Sequence, residues 1–260
     1  MTPVLAVLCA VLGLLIGSFL NVVIHRVPRG ESVVRPPSAC PACGRQIRPR
    51  DNVPVLSWIL LRGRCRDCGE PISARYPLVE AGTAALFVVM TLRFGEDWAL
   101  PAYLYLAAVG IALALIDLDC KRLPDALTLP SYPVAAVLLG AAMLLGSDSG
   151  DLLTALLGGL AMFALYFALA FAYPAGMGFG DVKLAGVLGM YLGWLGWGAW
   201  AVGTFLGFML GGVFGIGLIL VKKGGRKTAV PFGPFMLLGV LIAVLVGPEL
   251  ASGYAELTGL

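Results

Sequence analysis

Four of the six cysteines in this 260-residue chain stand in two knuckles, CPACG at Cys40 and Cys43 and CRDCG at Cys65 and Cys68, in the pattern C-x2-C-x21-C-x2-C. Each short turn aims two sulfurs at one point while glycine takes the tight backbone, and two such turns supply the four thiolates of a tetrahedral zinc site. The competing reading is two disulfides, which a loop facing a reducing compartment disfavours. An all-cysteine set leaves no open coordination position, so the zinc is expected to be structural. Cys9 and Cys120 stand apart and read as incidental thiols.

A second group of residues carries charge where a membrane would penalise it. Glu80, Asp117, Asp119, Asp125 and Asp181 all lie in or beside apolar runs, and ionisable groups at such positions need a reason. Asp117 closes one run in ALIDLDCKRLPD, and Asp181 follows another in GMGFGD. Two carboxylates brought together can share a proton, one serving as base toward a water and the other as acid toward an amide, which is aspartyl protease chemistry. Within the first cluster Asp117 is nearest the apolar run and is the chosen partner. Asp119, beside Lys121 and Arg122, is the runner-up, and Asp125 after Pro124 suits the first turn of a helix. Other peptidase chemistries lack their residues. The one histidine, His25, rules out H-E-x-x-H, and no G-x-S-x-G elbow occurs. Beside Arg26, His25 reads as a membrane-interface residue.

The elements that must position these groups follow from composition. The chain is 59% hydrophobic with 13% charged residues and has a mean hydropathy of +0.92, which no soluble core requires. Its apolar runs approach the length of about 20 residues that a bilayer-spanning helix needs. Eight spans are expected, at 4–24, 78–93, 99–117, 126–146, 152–173, 183–198, 200–221 and 232–250. The fold class is therefore an all-α polytopic membrane protein of about eight transmembrane helices with a small cytoplasmic zinc-ribbon-like loop. The first run is not a cleaved signal peptide, since Arg26 and Arg29 follow it and no basic residue precedes it.

That order of charge predicts an external N-terminus. The segments 25–77, 118–125, 174–182 and 222–231, with the adjoining helix ends, then hold 17 of the 18 lysines and arginines, among them Lys222, Lys223, Arg226 and Lys227; only Arg93 falls outside. This is the positive-inside pattern. The net charge of +3 reports orientation and gives no reason to invoke nucleic acid.

With these residues in place the chain resembles a known family. GSFLNVVIHRVPRG (17–30), the four-cysteine loop, YPLVE (76–80), IDLDCKRLPDALTLP (116–130) and GMGFGDVKLAG (176–186), in that order, are similar to the type IV prepilin peptidases, a family of G-x-G-D membrane aspartyl proteases. The C-terminal spans fit that family in number only. The resemblance implies a bifunctional enzyme. It would cut the basic leader from prepilins and type II secretion pseudopilins at the cytoplasmic face of the bacterial inner membrane, then methylate the new N-terminal residue, usually phenylalanine, with S-adenosylmethionine. The family's catalytic aspartates fall on Asp117 and Asp181, and its zinc ligands on Cys40, Cys43, Cys65 and Cys68; some members lack those cysteines, so cleavage does not depend on the metal. The resemblance further implies a division into 1–95, with the loop at 25–77 and the methyl-transfer part, and 96–260, the peptidase part. Asn21 and Glu80 are weak candidates for contacting the methyl donor, with helix contact as an equal reading for each. Lys183 and Asp119 are candidates for positioning substrate, and Lys183 reads equally well as a positive-inside anchor.

Two rival functions are compatible with parts of the pattern. A proton-coupled carrier would also have glycine-broken helices and boundary carboxylates, but it predicts carboxylates near the midplane and an internal repeat, and none is found. A membrane methyltransferase without peptidase activity is the other.

Overall fold

The computed structural model describes residues 2–174, 177–220 and 231–258. The basic cluster Lys222, Lys223, Arg226 and Lys227, and Gly176 of the glycine-rich turn, lie outside the described residues. Each of the eight apolar runs forms a helix: α1 (Thr2–Arg26), α3 (Arg75–Phe94), α4 (Leu100–Cys120), α5 (Asp125–Leu144), α6 (Leu152–Ala172), α7 (Phe179–Trp194), α8 (Trp197–Leu220) and α9 (Gly233–Thr258). A five-residue helix, α2 (Leu56–Leu60), lies in the polar loop between α1 and α3. No strand occurs among the described residues. Six helices, α1, α3, α4, α5, α6 and α8, are long and apolar enough to cross a membrane, which makes the chain a multi-pass membrane protein. α7, at 16 residues, is shorter.

Helix α7 starts at Phe179, four residues before the apolar run expected at 183–198. The difference has a local cause: Asp181 in the first turn accepts a hydrogen bond from the Gly178 N–H, so the helix is capped from within the polar stretch. Its other end is set by Gly196 at φ 104, where the chain turns into α8. Two prolines, Pro130 and Pro133, lie inside α5, and the nearby Thr128 and Ser131 hydroxyls donate to the Pro124 and Leu127 carbonyls.

Small residues weld the helices in pairs. A Cβ on Gly13 would sit 2.7 Å from Ala84 Cα and one on Gly17 2.7 Å from Glu80 Cα, so α1 and α3 meet backbone to backbone along a G-x-x-x-G stripe. Helices α6 and α7 do the same through Gly158, whose Cβ would lie 2.7 Å from Gly193 Cα, and α8 and α9 meet at Gly207 and Gly239. In lipid, where the hydrophobic effect does not drive helices together, such close approach supplies the packing.

By internal packing the chain divides into one unit of Met1–Glu96 with Tyr103–Ala112 and a second of Asp97–Ala102 with Leu113–Leu260. The first holds the cysteine loop and the α1–α3 pair. The second holds the helices that carry Asp117 and Asp181.

Candidate active site and metal centre

In the second unit, Asp117 lies in the last turn of α4 and is 5% exposed, whereas Asp119 two residues on is at the surface. Asp117 Oδ2 accepts a hydrogen bond of 3.0 Å from the Gly233 N–H at the start of α9. Asp181 Oδ2 accepts one of 3.1 Å from the Gly178 N–H. Leu123 marks the convergence: a Cβ on Gly180 would be 3.1 Å from Leu123 Cβ, and one on Gly233 would be 3.3 Å from Leu123 Cδ2 and 2.9 Å from Asp117 Oδ2. Only residues without a side chain let these three segments close in on Asp117.

The Phe232–Gly233 step was not singled out from sequence, and its signal was present. A glycine beside two prolines in VPFGPF, at the foot of an apolar run, is a position where backbone must approach closely. Phe232 also packs at 6.3 Å from the Tyr166 ring, and Phe208 stands 5.0 Å from that ring on α8. Tyr166 is fully buried and its hydroxyl has no hydrogen-bond partner among the described residues. A buried polar atom left unpaired is costly, so it marks a place where a further group is expected.

Lys183 is held on the opposite side of the first turn of α7. Its Nζ donates to both carboxylate oxygens of Asp125, at 2.7 and 2.8 Å, and lies 5.1 Å above the Phe179 ring. Its backbone carbonyl accepts from Tyr132 Oη at 2.7 Å. These contacts pin α7 to α5 on either side of the turn that presents Asp181. Asp125 takes the first position of α5, as its proline-aspartate signal predicts.

In the first unit the two knuckles repeat one geometry. The Cys40 N–H donates to the Arg45 carbonyl and the Gly44 N–H to the Cys40 carbonyl; likewise the Cys65 N–H donates to the Glu70 carbonyl and the Gly69 N–H to the Cys65 carbonyl. Gly44 and Gly69 sit at φ 70 and φ 74, and each knuckle is closed by a single bridge, Ala39 with Gln46 and Arg64 with Pro71. Asp67 of the second knuckle pairs with Arg45 and Arg48 of the first, at 3.0 and 3.1 Å. The four Sγ atoms lie within 4.8 Å of one another, with Cys40 Sγ and Cys68 Sγ 3.8 Å apart. Four sulfurs at about 2.3 Å from a central zinc are separated by roughly 3.8 Å, so the set fits that ion. The same gap is far longer than the S–S bond of about 2.05 Å in a disulfide. The backbone N–H groups of Cys43 and Ala42 bring the Cys40 thiol down to about 7. Although the Glu70 N–H favours its thiolate, Cys68 is pushed up to about 12 by lost solvation and the three neighbouring sulfurs. A dication at the centre removes that conflict.

Asn21 and Glu80 both serve the architecture of the first unit. Asn21 Nδ2 donates to the Tyr76 carbonyl, joining α1 to α3. Glu80 is buried, and its Oε2 accepts the Val55 N–H at 2.7 Å, tying the loop to α3. His25 lies at the end of α1 against Arg29, whose Nη1 is 3.2 Å from His25 Nδ1.

The fold is that of an all-helical membrane protein, with Asp117 and Asp181 each held by a backbone amide and four cysteines in one cluster. A family model described as Bacterial Peptidase A24 N-terminal domain matches residues 11–94, and one described as Type IV leader peptidase family matches residues 104–216. The chain is 40% identical over 268 residues to a prepilin leader peptidase/N-methyltransferase of Aeromonas hydrophila, covering 93% of this chain and 90% of the relative. It is 33% identical over 282 residues to one of Pseudomonas aeruginosa, covering 99% and 96%, and 41% identical over 229 residues to one of Myxococcus xanthus, covering 87% and 67%. No solved structure matches the chain. The protein belongs to the type IV leader peptidase family.

Proposed function

We propose that Asp117 and Asp181 form the dyad through which this prepilin leader peptidase and N-methyltransferase cleaves its substrate. The observation that carries the reading is that each carboxylate spends Oδ2 on a backbone N–H, Gly233 for Asp117 and Gly178 for Asp181, while the segments of both donors close on Leu123 through Gly233 and Gly180. Backbone donors fix both groups without side-chain freedom, leaving Oδ1 of each to handle protons. One carboxylate, ionised, takes a proton from a water as it attacks the leader's scissile carbonyl. The other, protonated, gives its proton toward the departing amide; two acids brought together divide these roles because both do not readily ionise together. Asp119, at the surface, is left to contact substrate, and Lys183 acts by holding α7.

The substrates are prepilins and pseudopilins, each a basic leader ahead of an apolar helix, delivered laterally within the bilayer. With the N-terminus outside, the dyad lies at the cytoplasmic face of the inner membrane. Residues 1–95 carry the methyl-transfer part and 96–260 the peptidase part. S-adenosylmethionine supplies the methyl group when bound. Zinc held by Cys40, Cys43, Cys65 and Cys68 would lock the two knuckles together in a loop too small to build its own core. Metal analysis of the purified protein against the Cys40→Ser, Cys43→Ser double variant tests this, and equal metal content would dispose of it. For the dyad, purified Asp117→Asn and Asp181→Asn proteins are incubated with a prepilin in detergent. Retained cleavage in either would sink the assignment, and an intact prepilin with the unaltered protein would favour a carrier.

A further inference from the structure

The loop of the first unit presents an apolar surface that neither the cysteine centre nor the dyad uses. Leu56, Ile59 and Leu60 fall on one face of α2 at i, i+3 and i+4, and they are 52%, 59% and 71% exposed. Val53, just before the helix, is exposed as well. The opposite face is fixed to the loop: Ser57 Oγ donates to the Arg50 carbonyl, and Trp58 Nε1 to the Ile72 carbonyl while its ring lies over Gly63. The stripe therefore cannot turn inward.

One contact ties the start of this stripe directly to α3. Val55 is the centre of a γ-turn, at φ 60 and ψ −50, with the Leu56 N–H donating back to the Pro54 carbonyl. That turn is rare, more so for a β-branched residue. It persists because the Val55 N–H is delivered to buried Glu80. Glu80 stands five residues into α3, about 7.5 Å along its axis. It also lies beyond Leu78, which is itself 68% exposed on a helix able to cross the bilayer. A segment hydrogen-bonded at that depth stands level with the end of the span. Around it Arg50, Arg62 and Arg64 are exposed. Apolar side chains level with the end of a span and cations nearby in the loop match the layered chemistry of a phospholipid leaflet, acyl chains below and phosphates above.

We propose that α2 is a membrane-docking element: Leu56, Ile59 and Leu60 insert into the headgroup–acyl boundary of an anionic leaflet, with Arg50, Arg62 and Arg64 on the phosphates. The inference is independent of the dyad assignment. The full-length protein carrying the photoreactive residue benzoylphenylalanine in place of Leu60, or separately of Leu56, is placed in nanodiscs of phosphatidylethanolamine and phosphatidylglycerol without prepilin. After irradiation, lipid adducts are read by intact mass, with the lipid-exposed Leu15 of α1 as reference. The expected yield at Leu60 and Leu56 is within about threefold of that at Leu15. Replacing phosphatidylglycerol by phosphatidylcholine lowers the yield in the loop and not at Leu15; an unchanged yield there would overturn the part given to the arginines. Background labelling at both loop positions while Leu15 labels, or adducts that form only with added prepilin, would overturn the docking itself and identify the stripe as water-facing or as a substrate surface.

Discussion

Asp117 and Asp181, like Glu80, each have a backbone amide for a partner. Asp125 and Asp67, by contrast, are in ion pairs. An amide donor orients a carboxylate without neutralising it, which suits a group that must carry a proton in turn. Replacing either aspartate by asparagine removes the acid–base function, and cleavage is expected to fall by about 100-fold to 10,000-fold or more, while methylation of an already processed pilin persists; mass spectrometry of both products checks this. The unaltered enzyme is expected to give a bell-shaped pH dependence of kcat/KM, because each limb reports loss of one member of the pair. Gly233→Ala brings a methyl to 2.9 Å from Asp117 Oδ2. A displacement of the reacting group by a fraction of an ångström is expected to lower kcat by about 10- to 100-fold, with thermal stability changed far less. Steady-state kinetics beside a melting curve separates the two.

At the scale of elements, glycine contacts decide which helices pair. Gly17→Leu forces a side chain against Glu80 Cα and Thr83, where even a Cβ lies 2.7 to 3.1 Å from its neighbours. Overpacking of this kind costs about 1–3 kcal/mol, so a lowered unfolding midpoint in detergent is expected, together with loosening of the Glu80 to Val55 tie. Within the loop, Arg66 holds Asp51 through three contacts of 2.7 to 2.9 Å. The guanidinium of Arg66 keeps the Asp51 carboxyl below its ordinary value of 3.8. A carboxyl depressed in the folded loop contributes stability that is complete above the unfolded value and is lost as pH falls through the folded one. Hydrogen exchange, corrected for its intrinsic rate, should show the loop opening as pH drops below 3.8, and Asp51→Asn should be more open near neutrality and lack that step.

For the whole molecule, the distribution of charge predicts an orientation. Lysine and arginine cluster in alternate connections, and Glu96, Asp97, Asp148 and Asp151 occupy the others. Alkaline phosphatase, active only outside the cytoplasm, is expected to be active when fused after Asp148 and inactive when fused after Arg122. The reverse result would overturn the external N-terminus and with it the cytoplasmic placing of the dyad.

How much of this was legible before folding depends on the reach of each interaction. The eight apolar runs, the knuckle pattern and the candidate carboxylates are local facts: hydropathy over about 20 residues and C-x2-C turns need no distant partner. Sequence also separated Asp117 from Asp119 correctly in burial, because Asp117 lies nearer the apolar run and, two residues on, Asp119 turns to another face of the helix. What depends on contacts across long sequence separations was decided only in the tertiary structure. Gly233 reaches Asp117 across 116 residues, Lys183 finds Asp125 across 58, and Glu80 takes the Val55 amide across 25. Hydropathy placed α7 too late, since it cannot see that a carboxylate will cap a glycine three residues before it. The sequence by itself determined that this chain crosses a membrane, bears four clustered thiols and keeps a few acids at its boundary. Which amide each acid meets is a property of packed helices, since only close approach of backbones brings those groups within hydrogen-bonding distance.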